Sequence, residues 1–157
     1  MALGNQLIEI HIWLREELTD LRADVDAYIE GTSDRQRSLR AHCLTFCSAL
    51  TRHHTGEDVG AFAALEAEFP DLGPVLAELR RDHVLVEDAL RRLQSLVDSL
   101  SETADPARTR EIRGDLDTLA ALIETHFTYE EKRLVVALNE LEVAAATEDL
   151  LGVVPPD

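Results

Sequence analysis

The residues of this 157-residue chain best suited to chemistry are six histidines, four of which are followed at i+4 by an acid: His53/Glu57, His54/Asp58, His83/Glu87 and His126/Glu130. On a helix that spacing puts both side chains on one face, where imidazole and carboxylate can share a metal ion or simply pair with each other. The neighbouring residues separate these readings. His11 interrupts the stripe Leu7, Leu14, Leu18, Leu21, Val25, Tyr28, and His53 with Glu57 interrupts Leu39, Cys43, Phe46, Leu50, Gly60, Ala64. His83 interrupts Leu76, Leu79, Val86, Leu90, Leu93, Val97, and His126 with Glu130 interrupts Ile112, Leu116, Leu119, Ile123, Leu134, Ala137. Each apolar face carries one histidine, and two also carry a glutamate. A lone histidine on such a face is usually a core residue with a hydrogen-bond partner, but four faces with one each call for a common cause.

The elements that position these residues are helices. Three breaks punctuate the chain: Gly31-Thr32-Ser33-Asp34, Phe69-Pro70-Asp71-Leu72-Gly73-Pro74 and Ser101-Glu102-Thr103-Ala104-Asp105-Pro106. Between them, apolar residues recur at spacings of three and four among good helix formers, which predicts helices over 4–30, 34–68, 74–100 and 106–140. A shorter helix is expected near 144–151, within a C-terminal extension over 141–157. Ser33 or Asp34 suits the cap of the second helix, Pro74 the first turn of the third, and Asp105-Pro106 the cap and first position of the fourth. Short connections between long amphipathic helices make antiparallel neighbours, so the expected fold is all-α: one up-down-up-down four-helix bundle domain spanning 1–157, with its core over about 4–140.

That fold gives the histidines a common depth. At about 1.5 Å per residue, His11 lies as far before the first break as His53 lies after it. Counting from the second and third breaks brings His83 level with Glu57 and His126 within one turn of His83. Buried carboxylates at such a level are costly unless paired or metal-bound, and no matching set of buried cations is available. Lys132 is the only lysine, and the arginines occur singly or in pairs such as Arg80-Arg81 and Arg91-Arg92. Four or five imidazoles with two or more carboxylates are too many ligands for one tetrahedral zinc; they suit two octahedral or five-coordinate first-row ions, iron first and manganese next. Dinuclear bundle sites of the ferritin type use Glu-x-x-His, whereas here the histidine comes first and the acid four residues later.

The His-x-x-x-Glu order resembles the hemerythrin-like proteins of the HHE cation-binding family, whose pattern is His on the first helix, His-x-x-x-Glu on the second, His on the third and His-x-x-x-Glu on the fourth. The matching residues are His11, His53 with Glu57, His83, and His126 with Glu130, over roughly 5–140. The resemblance implies a centre of two non-haem iron ions, open to an oxo or hydroxo bridge, that binds O₂ or a related small oxidant. It assigns His11 and His53 to one iron, His83 and His126 to the other, and Glu57 and Glu130 as bridges. The oxygen-carrying hemerythrins of invertebrates add a second histidine four residues after the third-helix one and use His-x-x-x-x-Asp on the fourth helix; Glu87 and Glu130 stand there instead, which favours ferric iron. His54 is a candidate for the missing imidazole, with Glu87 and Asp58 as further candidates. His42 falls about three turns away and is not expected to bind. Gly56 and Gly60 either open room for a small ligand or let another helix approach. Tyr129 adjoins Glu130 but points elsewhere, and Trp13 is expected to pack.

Composition narrows the function. With 31 Asp+Glu against 15 Lys+Arg the net charge is −16, and without a basic patch neither nucleic acid nor an anionic membrane is an expected partner. No secretory signal or membrane span is expected. Cys43 and Cys47, four residues apart, read as small apolar residues in a reducing cytosol. Two classes of function follow: binding of O₂ for sensing, storage or delivery, and an enzyme that reduces NO or peroxide or activates O₂ to oxidise a small substrate. Iron binding without gas chemistry is a third.

Overall fold

The computed structural model describes residues 1–31, 36–100 and 105–157. Four long helical columns form the bundle: α1 (Leu3–Ile29); α2 (Gln36–Gly56) running through a π-helical turn (Glu57–Ala61) into α3 (Phe62–Glu68); α4 (Gly73–Asp98); and α5 (Pro106–Glu140). A short α6 (Thr147–Leu151) follows, and no strand occurs among the described residues. The expected boundaries of the long helices hold to within two residues wherever they fall on described residues, residue 34 lying outside them, and α6 begins three residues later than expected. The second helix is not uniformly α-helical: the Phe62 N–H reaches back five residues to the Glu57 carbonyl, the wider winding often found at functional sites.

Local signals at the breaks act as expected where they are described. Pro74 lies in the first turn of α4. The Asp105 side chain accepts a hydrogen bond from the Ala107 N–H at 3.0 Å, capping α5 just ahead of Pro106. The Ser33 or Asp34 cap lies outside the described residues.

Each column packs on two others, α1 on α2 and α5, and α4 on α2 and α5. Cross-helix bonds fix the directions. Gly4 with Asn139, Arg15 with Glu124 and Arg113 with Asp26 run in opposite order along α1 and α5, and Arg92 with Asp115 and His83 with His126 do the same for α4 and α5. The antiparallel square encloses one apolar core built from the stripes read above, including Leu7, Leu14, Phe46, Leu50, Leu79, Leu93, Leu119 and Leu134. Trp13 packs half-buried against it. Cys43 and Cys47 are buried with their sulfurs 3.9 Å apart, unoxidised.

The C-terminal extension belongs to this core. Leu150, Leu151 and Val153 are buried in it, and α6 lies against the π turn. Sequence periodicity could not reveal this, because three apolar residues in a short segment have no period to measure.

Candidate metal centre

All four stripe histidines converge at one level of the bundle. The Nε2 atoms of His11 and His53 are 3.2 Å apart, and those of His83 and His126 are 3.1 Å apart. Glu57 Oε1 lies 3.3 Å from His53 Nε2 and 3.6 Å from His83 Nε2, while Glu130 places Oε1 3.6 Å from His11 Nε2 and Oε2 3.1 Å from His126 Nε2. Each carboxylate therefore touches one histidine of each pair. His54 stacks on His83 at 3.9 Å between ring centroids and is equally buried.

Partners on the outer side of each ring decide which nitrogen faces inward. His11 Nδ1 meets Glu131 at 2.9 Å, His83 Nδ1 meets Asp58 at 2.7 Å, His126 Nδ1 meets Asp82 at 3.2 Å, and His53 Nδ1 meets the Leu151 carbonyl at 2.7 Å. Carboxylates and carbonyls only accept, so each Nδ1 donates, and in its neutral form each ring turns the Nε2 lone pair toward the centre. Histidines that hold metals are oriented by partners of this kind. Glu131 is itself anchored by Arg15 at 2.9 Å, a link from the half-exposed surface to the His11 ring. Burial alone would raise the Glu131 carboxyl, but His11 and Arg15 outweigh it and hold the group below its usual value.

The interior is short of hydrogen-bond donors. His54 Nε2, Glu57 Oε1 and both Glu130 oxygens are buried without a well-directed hydrogen bond, a cost of about 1–3 kcal/mol for each such group. Burial, reinforced by the neighbouring His11, pushes His53 down to about 3, and burial beside His83 and His126 takes His54 well below the usual histidine value. Both are free bases at neutral pH. Burial also acts on the two glutamates, but the outcomes diverge: Glu57 is driven well above the carboxylate range by burial and by Glu130, whereas contacts with Glu57, His126 and His11 overcome burial and keep Glu130 well below it. Burial pulls His126 down as well, yet Glu130 and Asp82 leave it above its ordinary value. A proton between carboxyls is a weak substitute for a cation among so many lone pairs.

Among the described residues, two sets of donor atoms lie close enough to hold an ion each: His11, His53, Glu57 and Glu130; and His54, His83, His126 and Glu57. Glu57 belongs to both. The donors fit first-row ions of mixed nitrogen and oxygen preference, and the unpartnered atoms on the inner face are the ones a metal would satisfy.

The other candidates separate cleanly. Asp58 faces the outer nitrogen of His83 and Glu87 is exposed and paired with Arg91, so neither meets the centre; the reach of an aspartate on the π turn and the outward side of α4 account for this. His42 sits with Asp24 and Glu17 on the α1–α2 surface. The Tyr129 hydroxyl donates to Glu78, away from the centre. Gly56 and Gly60 serve packing: a Cβ on Gly56 would come within 2.3 Å of the Gly152 backbone, and one on Gly60 within 2.2 Å of the Asp149 carbonyl oxygen. Sequence reasoning missed Asp82, Glu131 and the Leu151 carbonyl. The two acids carry one signal, that each is the immediate neighbour of a motif residue, and each reaches across to the ring of a different helix.

A family model described as the hemerythrin HHE cation binding domain matches residues 4–148. No curated protein and no solved structure matches the chain.

Proposed function

Because the chain belongs to the hemerythrin HHE cation-binding family, we propose that its metal centre holds two non-haem iron ions and binds O₂ or a related small oxidant. One observation carries the proposal: two donor sets sharing Glu57 meet in the same core. Five imidazoles and two carboxylates exceed what one tetrahedral zinc uses, and their mixed nitrogen and oxygen character supports iron, with manganese next. His11 and His53 would hold one ion, and His54, His83 and His126 the other, with Glu57 and Glu130 reaching both. When bound, such ions supply electrons and open coordination positions for a small oxidant.

The protein's own residues prepare that chemistry. Glu131, Asp58, Asp82 and the Leu151 carbonyl fix the ring orientations, so little reorganisation accompanies metal uptake. Phe127, fully buried and stacked 3.8 Å from the His11 ring, keeps water from that side. Among the described residues no helix is long and apolar enough to cross a membrane, and the free, buried Cys43 and Cys47 support a cytoplasmic setting.

A second reading, as an enzyme, is favoured by a groove of about 390 Å³ lined by Leu85, Val86, Ala121 and Leu122 together with Asp82, Thr118, Thr125 and His126. It is larger than a diatomic and reaches the His126 ring on the side where Asp82 meets Nδ1. Cycling the iron-loaded protein between argon and air tests the first reading. A colour change that reverses over repeated cycles is expected; irreversible accumulation of ferric iron with steady consumption of peroxide or NO would assign the centre to the enzyme class instead.

A further inference from the structure

We propose that the C-terminal segment 147–153 is a positioning element for one of the two metal positions, the one assigned to His11 and His53; this rests on the two-metal reading above. The Leu151 carbonyl accepts from His53 Nδ1 at 2.7 Å. A carbonyl has no hydrogen to give, so this contact fixes the His53 tautomer and points the Nε2 lone pair at the centre, 3.2 Å from His11 Nε2 and 3.3 Å from Glu57 Oε1. His11, His83 and His126 rely on side-chain carboxylates for the same task. Of these four described rings, His53 is the one oriented by backbone from the far end of the chain.

The segment is seated with small tolerances. Gly152 has a φ of 77°, and a Cβ there would lie 1.9 Å from the Arg52 carbonyl oxygen, one residue before His53. Gly56 immediately precedes the π turn that begins at Glu57 and Gly60 lies within it, and a Cβ on either would strike the backbone at Gly152 or Asp149. Buried Leu150, Leu151 and Val153 hold the segment against the bundle. The same surface that carries His53 and Glu57 is therefore the seat of the C-terminal segment, and displacing it removes the His53 partner, whereas the acceptors that orient His83 and His126 are the side chains of Asp58 and Asp82, outside the segment.

The test uses the full chain with Gly152→Val, the milder Gly60→Ala in case the first does not fold, and Gly114→Ala as control, since a Cβ there meets nothing within 4 Å. Anaerobic Fe²⁺ titration reads the two positions, and ¹⁵N NMR of the imidazole rings after chelation reads the tautomers without any metal. In the strap variants His53 should lose its pure Nδ1–H form while His83 retains it. One Fe²⁺ step should weaken by about 10–100-fold, the size typical of losing a ligand's orienting partner, and the other should stay. Unchanged His53 tautomer and two unchanged steps would overturn the proposal, as would equal weakening of both steps, which marks a general structural role. A wild-type chain that takes up no iron would refute the two-metal reading, and the tautomer measurement would still decide whether the segment sets His53.

Discussion

Replacing Glu57 by Gln should reverse the stability order of the protein with and without metal. Glu57 is buried to 1% exposure; burial and Glu130 keep its carboxyl protonated without metal, and its Oε1, 3.3 Å from His53 Nε2 and 3.6 Å from His83 Nε2, has no hydrogen-bond partner. The amide of Gln has the same shape and is also uncharged, but it offers two N–H groups where the protonated carboxyl has a single O–H. One additional hydrogen bond makes the metal-free variant more stable by about 0.5–1.5 kcal/mol. For a chain of this length that raises Tm by roughly 1–6 °C. Metal changes the order, because an ion at 1,000 times its Kd stabilises the wild type by about 4 kcal/mol, and a neutral amide shared by two positions cannot replace the carboxylate in either. Thermal melts with chelator and with saturating Fe²⁺ measure both halves. A metal-free variant less stable than the wild type would mean that Glu57 is held by protein partners rather than shaped for a cation.

Asp58→Ala removes the acceptor on His83 Nδ1 but no ligand, so competition with a chelator should show affinity lower by about 10–100-fold with the number of ions at saturation unchanged. His54→Ala should lower the saturating metal content, whereas His42→Ala and Glu87→Ala should leave it at the wild-type value by elemental analysis, because those two side chains are paired at the surface. Metal uptake should release protons, and more at pH 6 than at pH 8: Glu57 and His126 both sit above their ordinary values and must give up protons to coordinate, and the protonated share of His126 grows as pH falls. His53, at about 3, contributes none across that range. Calorimetry in two buffers of different ionisation enthalpy measures the release, and a release that grows with pH would contradict these assignments.

Much of the centre was legible because helices repeat. Counting 1.5 Å per residue from each break brought His11, His53, His83 and His126 to one depth, and the close Nε2 contacts confirm that register. Glu57 and Glu130 were legible for the same reason, as acids on the apolar face one turn beyond a histidine. Periodicity failed where the winding or the reach changes. The π turn at Glu57–Ala61 shifts the helix phase just where Asp58 had to be judged, and Asp58 turns to an outer nitrogen instead of the centre. His54 lies about 100° around from His53, yet it reaches the core by stacking on His83, a cross-helix contact invisible in the spacing of α2. The Leu151 carbonyl has no side-chain signature at all, although Gly56, Gly60 and Gly152 together were a trace of the close backbone approach behind it. Asp105-Pro106, by contrast, was read correctly because a cap is a local event.

Two metal ions sharing Glu57 in one bundle core require a fixed stoichiometry. Elemental analysis of the full chain, reconstituted with Fe²⁺ under argon, desalted, and recorded with an optical spectrum, tests it most directly. About two irons per chain are expected, following from the two donor sets; a metal-replete protein holding a single zinc, or no metal, would contradict it.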